Sequence, residues 1–273
     1  MGKNHTTTEM LEQRVQEGDV IYVAGHPDNL HKLHDPTPFG KKLEVIDITQ
    51  WKNKAFFDLL ARMNAVNHGG SGLTSDKWVI LDCGLIPGAY FGFAREVSNC
   101  DDELREKLRI KSGDGGLVPV SEFCIIPRAS TGAWTGHTLS SAVQGKNYGL
   151  LSKLVGLRAW EVEHYTGVAQ YTNNAVKTHC QIADLELRTI MTPVHDYPET
   201  TFIYEHHVDQ ESLEFATRKE RPNKLYSFFL DPHDTDQKKE MQEKTEKRQV
   251  KYSIVFPGHV EREGKVFVPI KEE

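Results

Sequence analysis

The sequence has few cysteines, no long apolar segment and no excess of basic side chains. Its four cysteines, Cys83, Cys100, Cys124 and Cys180, are widely separated, without the CxxC pairs of zinc ribbons or the density of disulfide-stabilised domains. No stretch approaches the roughly 18 to 20 apolar residues that a membrane span needs, and the polar first residues contain no signal-peptide core. We therefore expect a soluble, cytoplasmic protein without a membrane partner.

Composition excludes further classes. The net charge of −6 gives no electrostatic reason to expect nucleic-acid binding. Hydrophobic residues make up 38% and charged residues 26%, which is typical of a globular chain rather than a disordered one. A length of 273 residues allows one large domain or two small ones. Cys124 lies in an apolar run, which favours a small buried side chain over a nucleophile.

Hydrophobic patterning predicts both helices and strands. Apolar residues at helical spacing predict a helix over Trp51–Val66, and a second, broadly apolar helix over Gly149–Tyr165. Val118–Ile126 predicts a strand, and the apolar runs Trp78–Asp82 and Tyr90–Arg95 around Pro-Gly predict a hairpin. The fold expected is α+β, a central mixed, mostly antiparallel sheet flanked by helices.

One loop has the chemistry of a phosphate site. It consists of Gln144, Gly145, Lys146, Asn147, Tyr148 and Gly149. Gly and Asn tolerate positive φ, so consecutive backbone N–H groups can converge on an anion. The start of the following helix adds unpaired donors and a partial positive charge, and Lys146 adds a full one.

This loop resembles the pyrophosphate loop of the GNAT superfamily of acyl-CoA-dependent N-acyltransferases. The family pattern is Gln/Arg-x-x-Gly-x-Gly/Ala, which Gln144 and Gly149 match, while Asn147 stands at the usual middle glycine. The order of predicted elements from about Leu43 to Tyr204 also fits. The departure is Arg128–Val143, which separates strand and loop where the family has only a few residues, and which would form a lid over the acyl site.

The resemblance implies a domain division and a reaction. Residues 1–42 would be an N-terminal extension, 43–210 a GNAT-like core, and 211–273 a C-terminal extension packed on the core. The activity implied is transfer of an acyl group from acetyl-CoA or another acyl-CoA, as co-substrate, to an amine-bearing acceptor.

The resemblance also implies a site. It assigns CoA binding to Cys124, Ile125, Gln144, Gly145, Lys146, Asn147, Tyr148, Gly149 and Asn173, with Asn174 as an alternative to Asn173. A bulge in the strand would pair the backbone with the pantetheine arm and polarise the thioester carbonyl. Tyr171, with Tyr165 second, would be the general acid; the alternative is that Tyr171 is a core aromatic.

Glu122 is the candidate general base. It lies in the middle of the predicted strand next to Phe123, where burial would raise its pKa. The alternative interpretation is that Glu122 is the outward residue of an edge strand.

Two other functions remain open. His26-Pro27-Asp28 is similar to the motif of LmbE-like zinc deacetylases, but Asn29 replaces the second aspartate ligand. Without that family's fold, a metal could still be held in this loop by His26, His31, His34 and Asp35. His195-Asp196 and His206-His207-x-Asp209 could complete such a site, although scattered surface histidines are favoured and no metal ligand is assigned. A non-catalytic binding protein would use a loop around Arg128, Trp134 and His137.

Overall fold

The fold is described from a computed structural model. The structure describes residues 5–70, 74–85, 87–111, 114, 116–128, 133–192, 200–216 and 225–273. Within these ranges no helix has both the length and the apolar character needed to cross a membrane. The chain divides into two compact units, an N-terminal unit over Thr7–Val162 and a C-terminal unit that contains Glu163–Glu273.

The N-terminal unit combines six strands with helices. Its helices are α1 (Thr7–Arg14), α2 (Pro27–Leu30), α3 (Lys54–His68), α4 (Lys77–Leu85), α5 (Asp102–Leu108) and α6 (Tyr148–Ala159). Its strands are β1 (Val20–Gly25), β2 (Glu44–Asp47), β3 (Ala89–Glu96), β4 (Leu117–Pro119), β5 (Ser121–Pro127) and β6 (Ala133–Ser141). The strand order is β6-β5-β3-β1-β2, with β4 also paired to β3. β1 and β2 are parallel, and the other pairs are antiparallel.

The two long helices of this unit are amphipathic or apolar, as the sequence predicts. In α3 the side chains of Phe56, Leu60 and Met63 are buried, because they recur on one face of the helix. In α6 a Cβ at Gly156 would lie 2.8 Å from Phe123 and 2.9 Å from Phe91. Only glycine allows this close approach between α6 and the strands β3 and β5.

Three predicted elements differ from the structure. Trp78–Asp82 is part of α4 rather than a strand, so the predicted hairpin is wrong; Ile80 and Cys83 form the buried side of that helix. The predicted helix Gly149–Tyr165 ends at Ala159, and Tyr165 lies in a strand. Within the expected insertion Arg128–Val143, residues 133–141 form β6, which pairs with β5.

Within the described ranges, the C-terminal unit has seven strands and two α-helices. The strands are β7 (His164–Gln170), β8 (Leu185–Thr189), β9 (Thr201–His207), β10 (Phe228–Leu230), β11 (Tyr252–Ile254), β12 (Val260–Arg262) and β13 (Lys265–Glu272). The helices are α7 (Ala175–Cys180) and α8 (Thr235–Glu246). The strand order is β10-β13-β11-β8-β9-β7, with β12 paired to β13. These pairs are antiparallel.

The expected α+β class, with mixed, mostly antiparallel strand pairing and flanking helices, is confirmed. β1 lies before residue 43 and pairs with β2 and β3. Residues 7–42 therefore belong to the same compact unit as residues 43–162.

Candidate functional site

Glu122 occupies the buried side of a central strand. Successive residues of a strand point to opposite faces. Ser121 faces α6, where its Oγ lies 2.8 Å from Oγ of Ser152, and Glu122 faces the opposite side. β5 lies between β3 and β6, and Glu122 is 0% exposed, so it is not the outward residue of an edge strand.

The carboxyl of Glu122 is hydrogen-bonded on one oxygen. Ser140 Oγ donates to Oε1 at 2.9 Å, and Thr138 Oγ1 lies 3.4 Å from the same atom. Asn64 Nδ2 of α3 donates to Thr138 Oγ1 at 3.2 Å, and Asn64 Oδ1 accepts from Ser75 N. Oε1 therefore fixes the side chain, whereas Oε2 is buried without a hydrogen-bond partner among the described residues.

Burial raises the pKa of Glu122 to about 7, against the opposing effect of hydrogen bonds from Ser140, Asn64 and Thr138. A carboxyl in a dry environment resists ionisation because the charged form loses its hydration. A pKa near neutrality lets the group both accept and release a proton at physiological pH. Glu122 is therefore suited to general acid–base chemistry.

Besides burial, the charge of Glu122 contributes to the raised pKa of two buried tyrosines, Tyr22 and Tyr90. Burial and then the charge of Glu122 raise the pKa of Tyr22, and burial raises the pKa of Tyr90. Both hydroxyls donate to backbone carbonyls at 2.9 Å, Tyr22 to Ser121 and Tyr90 to Ile80. These tyrosines consequently hold the strands and α4 in place rather than donate to Glu122.

Two histidines lie on the same side of the strands. His68 Nε2 of α3 is 3.5 Å from Thr138 Oγ1, so Thr138 connects the imidazole to Glu122. Burial and the nearby His137 lower the pKa of His68. His137 is the extra residue of a register shift, since Cys124 pairs with Thr138 and Ile125 with Gly136. Because His68 is only half-buried and His137 is exposed, this side of the cluster leads towards solvent.

The name Glu122 cluster is used below for Glu122, Asn64, His68, Thr138 and Ser140. Of these, sequence reasoning identified Glu122 alone. A signal for Asn64 was present, because it follows Leu60 by one helical turn on the buried stripe of α3. The hydroxyls of β6 had no such signal.

The predicted CoA loop has the predicted backbone conformation. Gly145 has φ 76° and Asn147 has φ 60°, and α6 begins at Tyr148. Lys146 is exposed, and Gln144 Nε2 donates to Ser141 O at 3.2 Å. The positive φ values expected for an anion-binding turn are thus confirmed.

Two residues of the loop contribute to packing. Tyr148 is buried, its hydroxyl contacts Asp19, and it accepts from Gln16 N at 3.0 Å. Burial raises the pKa of Tyr148 to about 12. A Cβ at Gly149 would lie 3.9 Å from Leu139, an ordinary contact, so a side chain fits there sterically.

The structure does not bring the loop and Glu122 together. Glu122 and α6 lie on opposite faces of β5, and β5 is paired on both sides at Cys124 and Ile125. A register shift lies at these two residues, but its extra residue, His137, is in β6 and not in β5, where the bulge was predicted. A pantetheine arm that used their backbone groups would have to displace part of a neighbouring strand.

Tyr171, Tyr165 and Asn173 lie in the C-terminal unit. Tyr171 is fully buried, and its hydroxyl donates to Ile190 O at 3.0 Å; burial raises its pKa. Tyr165 pairs through its hydroxyl with His206 Nδ1 at 2.9 Å. Asn173 Oδ1 accepts from Ala175 N at 2.8 Å. The contacts of all three stabilise their own unit.

The histidine motif near the N-terminus forms a helix cap. His26 Nδ1 accepts from Asp28 N at 3.2 Å, at the start of α2. Asn29, where the deacetylase motif has a ligand, donates its amide towards Leu85 O and Gly88 O. The amide nitrogen of Asn29 therefore faces carbonyl oxygens.

Further candidate residues from the sequence are Trp134, His195 and His206. Trp134 lies in β6 with its ring 4.6 Å from that of Trp160, and thus packs inside the unit. His195 lies outside the described residues. His206 is buried, with Nε2 3.0 Å from Ala183 O.

A cavity of about 620 Å³ opens beside β2. Its walls include Leu30, Asp47, Lys52 and Phe56. Glu122 is not among the described residues that line it, so the cavity and the Glu122 cluster are separate features of the N-terminal unit.

Comparison with family models and with curated proteins gives no match for this chain. The proposed function therefore rests on the chemistry of the Glu122 cluster.

Proposed function

We propose that the chain is an enzyme in which Glu122 transfers a proton, and that its reaction is acyl transfer from an acyl-CoA-type donor to an amine. The observation that carries this proposal is the state of Glu122: fully buried, with a pKa raised to about 7 and with Oε2 unpaired among the described residues. Perturbed carboxyls of this kind cluster at catalytic sites.

The chemical step assigns one role to each oxygen of the carboxyl. The amine nitrogen attacks the thioester carbonyl and forms the new C–N bond, while Glu122 Oε2 accepts the proton that the nitrogen loses. The C–S bond then breaks, and the leaving thiolate takes a proton from solvent to give free CoA. Oε1 stays hydrogen-bonded to Ser140, which holds the base in position throughout.

The proton must return to solvent before the next cycle. Thr138 lies between Glu122 and His68, with oxygen–oxygen and oxygen–nitrogen separations of 3.4 and 3.5 Å. His68 is half-buried, and its lowered pKa keeps the imidazole neutral near pH 7. A neutral imidazole can take up and release protons, so His68 can exchange protons between the Glu122 cluster and solvent.

The donor half of the proposal is supported by the loop before α6. Positive φ at Gly145 and Asn147 is the backbone conformation in which a turn can direct N–H groups at an anion, and the exposed Lys146 adds a positive charge. The GNAT-like assignment of residues 43–210 remains part of this proposal. Because the loop and Glu122 lie on opposite faces of β5, donor binding and proton transfer need separate tests.

Donor binding is tested by thermal unfolding with acetyl-CoA, longer acyl-CoAs and free CoA. A ligand at about a hundred times its dissociation constant adds about 2.7 kcal/mol and raises the midpoint by a few degrees. We expect this shift in the unmodified chain and its loss in Gly149→Asp, which places a carboxylate beside the diphosphate. Gly149→Ala, which the contact with Leu139 allows, is the matched control and should keep the shift.

Proton transfer is tested by release of CoA thiol in the presence of primary amines. Glu122→Gln should lower the rate by about a hundredfold or more, and Glu103→Gln, an exposed glutamate of α5, should not. The rate should rise with pH and level off above about 7, as Glu122 loses its proton. Absence of both a midpoint shift and thiol release would overturn acyl transfer, and an unchanged rate in Glu122→Gln would remove Glu122 as the base.

A further inference from the structure

A second group of titratable side chains lies on the strand pair β7 and β9 in the C-terminal unit. His164 of β7 pairs directly with His207 of β9, and their rings lie 4.6 Å apart at an angle of 86°. Glu205 precedes His207 by two residues and therefore shares its face of the strand. One potential ligand atom from each of the three lies within 4.8 Å of the other two. The name His164 cluster is used for His164, Glu205 and His207.

Strand alternation separates this cluster from the neighbouring buried histidine. His206 points to the opposite face, where Nδ1 meets Tyr165 OH and Nε2 lies near Ala183 O. His164 and His207 are instead exposed, and Glu205 is partly exposed. The two imidazoles and the carboxylate can therefore be reached by an ion from solvent.

We propose that the His164 cluster binds a divalent first-row transition metal, with Zn²⁺ as the reference ion. Imidazole nitrogens of His164 and His207 and one carboxylate oxygen of Glu205 would be the three protein ligands, with water completing the coordination. Two imidazoles and one carboxylate favour Zn²⁺, Co²⁺, Ni²⁺ or Cu²⁺, whereas Mg²⁺ and Ca²⁺ prefer oxygen ligands. The proposal does not depend on Glu122 or on acyl transfer.

Charged neighbours from β8, and Lys251 just before β11, adjust the strength of this site. Arg188 contacts Oε2 of Glu205, and its Nη1 lies 2.9 Å from Oε1 of Glu186. Glu186 Oε2 is 3.6 Å from His207 Nε2, and Lys251 Nζ is 3.8 Å from Glu186 Oε1. Oε1 of Glu205 is the oxygen left for the metal. The positive charge of Arg188 opposes a cation, so its removal should tighten binding.

The test is a titration of the full chain, first treated with a chelator, with Zn²⁺ in competition with a chromophoric chelator near neutral pH. His164→Ala and His207→Ala should each weaken binding by about tenfold or more, because even residues that only orient ligands change metal affinity by about 10- to 100-fold. His233→Ala, at an exposed histidine of the same unit, is the matched control and should bind as the unmodified chain does. Circular dichroism of each variant verifies folding.

Two further measurements sharpen the assignment. Bound Co²⁺ should give ligand-field absorption in the unmodified chain, and this absorption should be lost in His164→Ala. Addition of Mg²⁺ should not displace the bound Co²⁺. Arg188→Gln should bind Zn²⁺ more tightly than the unmodified chain. Equal affinity of the unmodified chain and His164→Ala, or an equal loss in His233→Ala, would overturn the site. Unchanged Zn²⁺ affinity in Glu205→Gln would remove Glu205 from the ligand set.

Discussion

The Glu122 cluster and the His164 cluster both combine a glutamate with histidine, but the two glutamates lie in opposite environments. Glu122 is fully buried, and its Oε1 accepts from the hydroxyl of Ser140. Glu205 is partly exposed and contacts the guanidinium of Arg188. A carboxyl in a dry environment without a cation holds its proton to higher pH, whereas Glu205 can be reached by an ion from solvent. The first arrangement suits proton transfer, and the second suits cation binding.

The largest difference should appear when both glutamates are replaced by alanine. Glu122→Ala leaves a cavity and removes the acceptor of the Ser140 hydroxyl, so it should lower the free energy of unfolding by about 2 kcal/mol or more. Glu205→Ala breaks only a solvent-accessible ion pair and should cost less than about 1 kcal/mol. Urea unfolding of both variants measures the two costs, and equal values would contradict the contrast between the regions.

A smaller effect is expected from one hydroxyl of the Glu122 cluster. Ser140→Ala removes the hydrogen bond that most lowers the pKa of Glu122 after burial has raised it. We expect that pKa to rise further, with a loss of about 1 kcal/mol in the free energy of unfolding. Ser141→Ala is the control, since its hydroxyl contacts Val120 O and Val143 O instead. A pKa that moves equally in both variants would contradict the role of Ser140.

The smallest effect concerns the ion pairs of the His164 cluster. Arg188→Gln should change the free energy of unfolding by less than about 1 kcal/mol, because exposed ion pairs gain little over hydration. The change should shrink further when salt is added. Unfolding at low and high ionic strength measures it. A large, salt-independent loss would show that Arg188 is part of a buried network.

The sequence predicts a helix or strand correctly where the pattern of apolar residues within that segment is enough to determine its structure. α3 and β5 have clear periodicity, and α6 is apolar enough to require a sheet beneath it. α4 was misassigned because Trp78–Leu81 is a continuous apolar run, and such a run does not distinguish a strand from a helix. β6 has little apolar alternation and owes its form to pairing with β5, which is a tertiary effect.

The candidate sites show the same limit, since contacts that depend on the pairing of distant strands could not be predicted from the sequence. Glu122 was predictable because its strand was, whereas Ser140 and Thr138 reach it only through the register of β6 on β5. His164 and His207 are distant in sequence and meet through the register of β7 on β9. The adjacent histidines at 206 and 207 suggest a pair of ligands, but strand alternation sends them to opposite faces.

The most direct test of the proton-transfer assignment is the pH dependence of stability in the unmodified chain and in Glu122→Gln. The pKa of Glu122 is about 7 in the folded state against an ordinary value of 4.5, so the folded chain binds more protons between these values. Stability from this group is fully present below about pH 4.5 and is lost as pH rises to about 7. We expect the free energy of unfolding to fall by about 3 kcal/mol more over that window in the unmodified chain than in Glu122→Gln. Parallel pH profiles would show that Glu122 titrates like an exposed glutamate and would contradict its role as the proton carrier.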